Sequence, residues 1–147
     1  KKGSGEMSMW IDESRLSSFK RLMLSALLRN KPAYIQRGVP LLATSVENIT
    51  DGVESLDKPD FLKTISASGE NIKSSDTVFD YESMVVCLFL RREFGIEVFS
   101  SVLKGTNPES ACGFSDRDSF ASSLERYFKN LKKDLESGKT PDSYLSP

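Results

Sequence analysis

The chain has 147 residues, of which 38% are hydrophobic and 28% charged, and its net charge is −1. A chain of this length and composition is expected to form one globular domain that buries about 70% of the surface of its unfolded form. Basic and acidic residues are interspersed, which argues against a nucleic-acid interface or an anionic membrane surface. No apolar run reaches the ~20 residues of a membrane helix, so we expect no membrane insertion.

Histidine is absent from the sequence. Its absence removes the commonest zinc ligand and the usual base of Ser-His and Cys-His catalysis. The two cysteines, Cys87 and Cys112, are too few for a closed zinc site. We therefore expect neither a metal nor a cofactor, and the sequence leaves open whether the two cysteines form a disulfide.

The N-terminal third predicts two helices after a Gly/Ser-rich linker at residues 1–9. The first helix runs to about Arg29 and is expected to bury an apolar face. That face comprises Leu16, Phe19, Leu22 or Met23, Ala26 and Leu27. The second helix begins at Pro32 and extends to about Thr44. Gly38 and Pro40 predict a break in it, unless the close approach of two backbones or of a ligand requires the glycine.

The middle of the chain predicts a connection, a short helix and a long apolar helix. Residues 45–58 are polar and predict a surface connection, and Pro59 starts a short helix. Asp80 is the predicted cap of a helix over residues 79–94 that Gly95 ends. A further short helix covers residues 96–103, and residues 106–113 form a loop.

The last predicted helix is capped by Ser115 and ends at Gly138. Its apolar residues form a single stripe expected to face the core, namely Phe120, Leu124, Tyr127, Phe128, Leu131 and Leu135. The sequence thus predicts a mainly α fold with five to six helices in one compact, bundle-like domain over residues 10–138. Residues 139–147 are a predicted tail.

The segments RLMLSALLR and PAYIQRGVPLLA resemble the paired zinc-binding helices of the gluzincin metallopeptidases. In that family a helix carries H-E-x-x-H and the next helix supplies a glutamate as third ligand. The framework matches here at Ala26, Leu27, Leu28, Pro32, Tyr34, Ile35 and Gly38. Residues 81–103 resemble the helix pair that follows, so the likeness covers about residues 19–105. Pro40 departs from the pattern, and the β-sheet subdomain that precedes the zinc helix in the family is missing.

The resemblance implies a peptidase-like fold that has lost its chemistry. The two histidine positions fall on Arg21 and Ser25, the general base on Leu22, and the third ligand on Arg37. Arginine repels a metal dication, so zinc hydrolysis is not expected. If the geometry is kept, Arg21, Ser25 and Arg37 form a residual pocket that holds an internal carboxylate or an anion. The alternative is that both arginines lie on solvated helix faces or in ordinary surface ion pairs.

Three functions are compatible with these features. The first is a pseudoenzyme: a non-catalytic, metallopeptidase-like helical module that binds or scaffolds proteins, as part of a larger protein or assembly. The second is an unrelated helical protein-interaction domain with a contiguous apolar docking face. The third is a hydrolase that uses paired carboxylates, although no spacing nominates a pair and Glu82 is expected on the solvent side of its helix.

Overall fold

The computed structural model describes residues 19–20, 22–24, 26–69, 72–73 and 75–139. All regular secondary structure within these residues is helical, which confirms the predicted mainly α class. Six helices have defined bounds, and they follow a short helical segment at the start of the described chain. They are α1 (Ala33–Thr44), α2 (Glu47–Ser55), α3 (Phe61–Ser66), α4 (Thr77–Leu103), α5 (Pro108–Ala111) and α6 (Arg117–Glu136). None of the helices in the described part of the chain is long and apolar enough to cross a membrane.

Helix α4 is the centre of the molecule and contacts each of the other five helices. Its residues 84–90 are at most 3% exposed on every side of the helix. A helix that is apolar all round has to be enclosed by other elements, and here α1, α2, α3, α5 and α6 enclose it. Gly95, at φ 87° and ψ 174°, separates this buried half from a second helical stretch that ends at Leu103. The predicted stop at Gly95 is therefore confirmed.

Helix α1 continues through Gly38 and Pro40 without the predicted break, and the exception foreseen for it, a close approach of two backbones at the glycine, applies. A Cβ on Gly38 would clash with the backbone oxygen of Ser83, because α1 and α4 approach each other closely at this point. The glycine therefore serves helix packing, which compensates for its poor helix propensity. Pro40 is buried within the same helix.

The structure departs from two of three further predictions about secondary structure and confirms the third. The predicted connection over residues 45–58 is wrong, because it contains the helix α2, whose Ile49 and Val53 are fully buried. The predicted loop over residues 106–113 contains the single turn α5, which begins with Pro108. The predicted short helix after Pro59 is confirmed as α3, with the Asp60 side chain accepting the Lys63 N–H.

The caps of the two long helices differ from prediction by one to four residues. Asp76 caps α4 by accepting the Phe79 N–H, and Asp80 lies in the first turn instead. Asp116 caps α6 by accepting the Ser119 N–H, whereas the predicted cap Ser115 donates to Asp116. The apolar stripe of α6 faces the core as predicted. Its buried members are Phe120, Leu124, Phe128 and Leu131, and Tyr127 and Leu135 are partly buried beside them.

The predicted buried face of the first helix is not buried. Hydrogen bonds close its last turn, including Leu28 N–H to Leu24 O at 2.9 Å. Phe19, Leu22, Met23 and Leu27 are all large exposed side chains. Leu16, the predicted linker at residues 1–9 and the tail beyond Lys139 lie outside the described residues.

Candidate functional site

Of the three residues in the predicted residual pocket, Arg37 lies in the described part of the chain. It is on α1, one residue before the close contact at Gly38. Arg21 and Ser25 lie outside the described residues.

Arg37 is bound to groups of this chain on several sides. Its Nε donates to Asp80 Oδ1 at 2.5 Å, and Nη2 donates to the backbone oxygen of Lys73 at 3.2 Å. Its guanidinium carbon lies 6.0 Å from the centre of the Phe79 ring, at the outer limit of a cation–π contact. The side chains of Arg37 and Asp80 are 23% and 16% exposed. Arg37 thus joins α1 to α4 through a partly buried ion pair.

The described residues contain no group of three or more His, Cys, Asp or Glu side chains that could hold a metal ion. The cysteines are free. Cys87 is fully buried, and its thiol lies 3.7 Å from the Tyr34 backbone oxygen, to which it donates. Burial raises the pKa of Cys87, and burial with the nearby Glu109 raises the pKa of Cys112 to about 11. Both thiols are therefore protonated at neutral pH, which makes them poor nucleophiles.

Glu82 is buried, contrary to the expectation that it faces solvent. It is 8% exposed, and its carboxylate accepts the Asp60 N–H at 2.8 Å and the Thr64 hydroxyl at 3.0 Å. Burial raises the pKa of Glu82, although these two hydrogen bonds oppose the rise. The carboxylate therefore links α4 to the first turn of α3.

A cavity of about 550 Å³ adjoins Glu82 and contains further carboxylates at Asp60 and Asp76. Asp60 Oδ1 accepts the Lys63 N–H, and Asp76 Oδ1 accepts the Phe79 N–H. Each of the three carboxylates thus accepts a backbone N–H at the start of a helix. Glutamate is mostly an exposed residue, so no local signal in the sequence indicates that Glu82 is inside. Its contact with Thr64 depends on the fold.

A second polar cluster links α3, α5 and α6 near Tyr34 of α1. Arg117 Nη2 donates to Glu109 Oε1 at 3.1 Å, and Nη1 donates to Ser66 Oγ at 3.3 Å. Burial raises the pKa of Tyr34, and the nearby Cys87 raises it further. The Tyr34 side chain is also within electrostatic reach of Glu109 and Arg117. The cluster joins α5 to α6 and to the end of α3. The sequence does not indicate it, because Tyr34 and Ser66 lie far along the chain from Glu109 and Arg117.

The most distinctive surface is the apolar face formed by Phe19, Leu22, Met23 and Leu27, which we call the N-terminal face. These side chains are 60%, 70%, 51% and 75% exposed. Their i, i+3, i+4 and i+8 spacing places them on one side of the helix. Leu28, in the last turn, packs against the core from the other side. The helix thus has apolar side chains both on the side that faces the domain and on the side that faces solvent.

Comparison of the chain with protein-family models, curated proteins and solved structures yields no significant match.

Proposed function

We propose that the chain is a non-catalytic, metallopeptidase-like helical module that binds another protein through the N-terminal face. The observation that carries the proposal is the exposure of four large apolar side chains on one side of one helix. A contiguous apolar patch on a folded domain marks an interaction surface, whereas single exposed apolar residues do not.

The energetics of the N-terminal face favour a bound state. Complete burial of a leucine, methionine or phenylalanine side chain is worth about 1.5–3 kcal/mol. Each of the four side chains is at least half exposed, so a partner that covers them gains a large part of this free energy. Amphipathic helices bind grooves of other proteins through anchors at this spacing.

Three features of the described residues support the absence of catalysis. Arg37, which the sequence resemblance aligns with the third zinc ligand, pairs with Asp80. Burial raises the pKa values of Cys87 and Cys112, so neither has the lowered pKa of a catalytic thiolate. Glu82, Asp60 and Asp76 accept backbone hydrogen bonds that hold helix starts.

The peptidase-like part of the proposal rests on the framework of α1. Tyr34 and Ile35 are 2% and 0% exposed, and Gly38 lies against the α4 backbone. These are positions at which the sequence matches the second helix of the gluzincin pair. Zinc content measured by elemental analysis and hydrolysis of a peptide library test the loss of chemistry. Bound zinc or peptide cleavage would overturn the non-catalytic assignment.

Site-specific photo-crosslinking tests the binding surface. A photoreactive phenylalanine analogue replaces Leu27 in the full chain, expressed in cells, and a matched variant carries it at Glu97, which is exposed in the second half of α4. We expect a discrete crosslinked protein at Leu27 and none at Glu97. That protein, once identified by mass spectrometry and purified, must bind the wild-type chain and lose binding to Leu22→Glu. The absence of any protein crosslink at Leu27 would contradict the proposal.

A further inference from the structure

We infer that a second copy of this chain occupies the N-terminal face, by receiving it in the groove between α3 and α6. This inference rests on the proposed function and names the partner of the same surface. It is supported by the complementarity in charge and apolarity between two surfaces of the described chain.

The N-terminal face has basic borders. Residues 19–31 contain four basic side chains and no acidic one. Lys20 and Arg29 are exposed, and Lys31 is partly exposed. By helical geometry, at about 100° per residue, Lys20 lies beside Leu27 at one edge of the apolar face. Arg29 lies in the turn that follows the helix. The face therefore suits an apolar surface with acidic edges.

The groove between α3 and α6 has this composition. Its volume is about 440 Å³, and its apolar lining includes Phe61, Leu62 and Ala121. Leu62 is one of the large apolar side chains that remain exposed. The charged residues of the lining are Asp60, Asp118 and Glu125, and no basic residue lines it within the described chain. Glu125 pairs with Lys129 at 3.5 Å, but both side chains are more than half exposed, so the pair is weak and screened.

Charge also selects the geometry of association. Two N-terminal faces placed against each other would bring like charges together, which opposes a symmetric helix-to-helix dimer. A helix of one copy in the groove of the next brings opposite charges together. Each copy offers one helix and one groove, so the contact either closes reciprocally between two copies or repeats into a ring or a filament.

Sedimentation velocity of the purified full chain tests the inference. We expect concentration-dependent assembly that weakens at high salt, because the rims are exposed charges. Leu27→Glu disables the helix, and the double variant Asp118→Lys, Glu125→Lys disables the groove. Each should weaken assembly at least ~10-fold, since one misplaced charge at an apolar contact exceeds about 1.4 kcal/mol. Glu97→Lys, on an exposed residue of the second half of α4, makes one such charge reversal away from both surfaces and should leave assembly unchanged.

Mixing the two defective variants gives the decisive result. One variant retains its groove and the other retains its helix, so the mixture should form a 1:1 dimer that does not grow further. Far-UV circular dichroism confirms that each variant is folded. A mixture that stays monomeric, or assembly that persists in both variants, would overturn the inference.

Other outcomes separate this inference from the proposed function. A monomeric chain that crosslinks at Leu27 to a different protein overturns the second copy and leaves the protein-binding function standing. A monomeric chain that binds vesicles containing phosphatidylserine, with binding lost in Leu27→Glu, overturns both in favour of a lipid surface. A monomeric chain whose unfolding midpoint falls in Leu27→Glu overturns both, because the face is then covered within the chain itself.

Discussion

Gly38 is the residue at which sequence propensity and packing conflict most directly. On helix propensity alone, alanine at this position would stabilise α1 by about 0.5–1 kcal/mol. A Cβ would however clash with Ser83 O and lie 2.8 Å from Cys87 Sγ. The first of these neighbours is backbone, which cannot move away without shifting α4. We therefore predict that Gly38→Ala destabilises the protein by about 1–3 kcal/mol in urea denaturation.

Gly69 provides the control for this substitution. A Cβ on Gly69 would meet nothing within 4 Å, and its φ is not positive. Gly69→Ala should therefore change the free energy of unfolding by less than about 1 kcal/mol, or stabilise slightly by restricting the unfolded chain. Equal effects of the two substitutions would show that the α1–α4 contact is looser than the structure indicates.

Glu82 makes stability depend on pH. Because its pKa is raised in the folded state above the ordinary value of 4.5, folding favours the protonated form. Its contribution is fully present below pH 4.5 and is lost as the pH rises through the folded-state pKa. Glu82→Gln keeps the acceptor for the Asp60 N–H and removes the ionisation. We predict that its stability relative to wild type increases as the pH is raised above 4.5, measured by urea denaturation at successive pH values.

A glutamate on the exposed surface of the same helix controls for the loss of charge. Glu97→Gln lies in the second half of α4 and changes the net charge by the same amount. The difference between the two variants isolates the effect of burial. A stability difference between wild type and Glu82→Gln that stays constant from about pH 4 to 8 would contradict the assignment of a raised pKa.

The Arg37–Asp80 pair is the main polar connection between helices α1 and α4. The side chains are 23% and 16% exposed, so solvent screens the pair less than it screens Lys129–Glu125, at 71% and 56%. A double-mutant cycle with Arg37→Met and Asp80→Asn should give a coupling free energy of about 1–3 kcal/mol. The cycle at Lys129 and Glu125 should give about 0.3–0.5 kcal/mol. Similar values for both pairs would contradict a structural role for Arg37.

The elements differ in how far the sequence predicts them. Helix α6 is predictable because one apolar stripe and an acidic first turn agree, and α4 because Gly95 ends a long apolar run. Helix α2 escapes prediction because its composition is polar, although Ile49, Val53 and Leu56 recur at i, i+4 and i+7 and are all buried. Those three side chains pack because α4 and α6 lie beside them, which is a property of the fold.

The candidate site is less predictable than the helices. Periodicity identifies the apolar positions Phe19, Leu22 and Leu27, but a period of about 3.6 cannot tell whether the covering surface belongs to the same domain. The pattern therefore predicts a core face, and the structure leaves it exposed. The sequence likewise does not indicate the partner of Arg37, because Asp80 is 43 residues away in the chain. The requirement for an acidic or anionic partner follows from the cost of an unpaired buried charge.

An aromatic cluster joins the C-terminal part of the molecule to the central helix α4. Phe89 on α4 has ring centres of Phe94, Phe120 and Tyr127 at 5.3, 5.6 and 5.1 Å. Phe114, before α6, lies 6.1 Å from Phe94 and 5.6 Å from Phe120. These distances and the mostly edge-on orientations are those of favourable aromatic pairs. The cluster thus couples α4 to α6 beyond the apolar area that the two helices bury.

Phe89→Ala should therefore be among the most destabilising single substitutions in the chain. Truncation of a buried phenylalanine costs about 3–5 kcal/mol, a large part of the roughly 5–15 kcal/mol that stabilises a typical domain. Phe128→Ala is the matched comparison, because both side chains are 3% exposed. Phe128 has one ring partner among the described residues, Phe61 at 5.7 Å, and a cation contact with Lys132. Each aromatic pair adds about 0.5–1.5 kcal/mol. In urea denaturation, Phe89→Ala should therefore lower the free energy of unfolding by about 1 kcal/mol more than Phe128→Ala does. Equal losses would mean that the cluster contributes through buried area alone, and that helix packing around α4 needs no specific ring geometry.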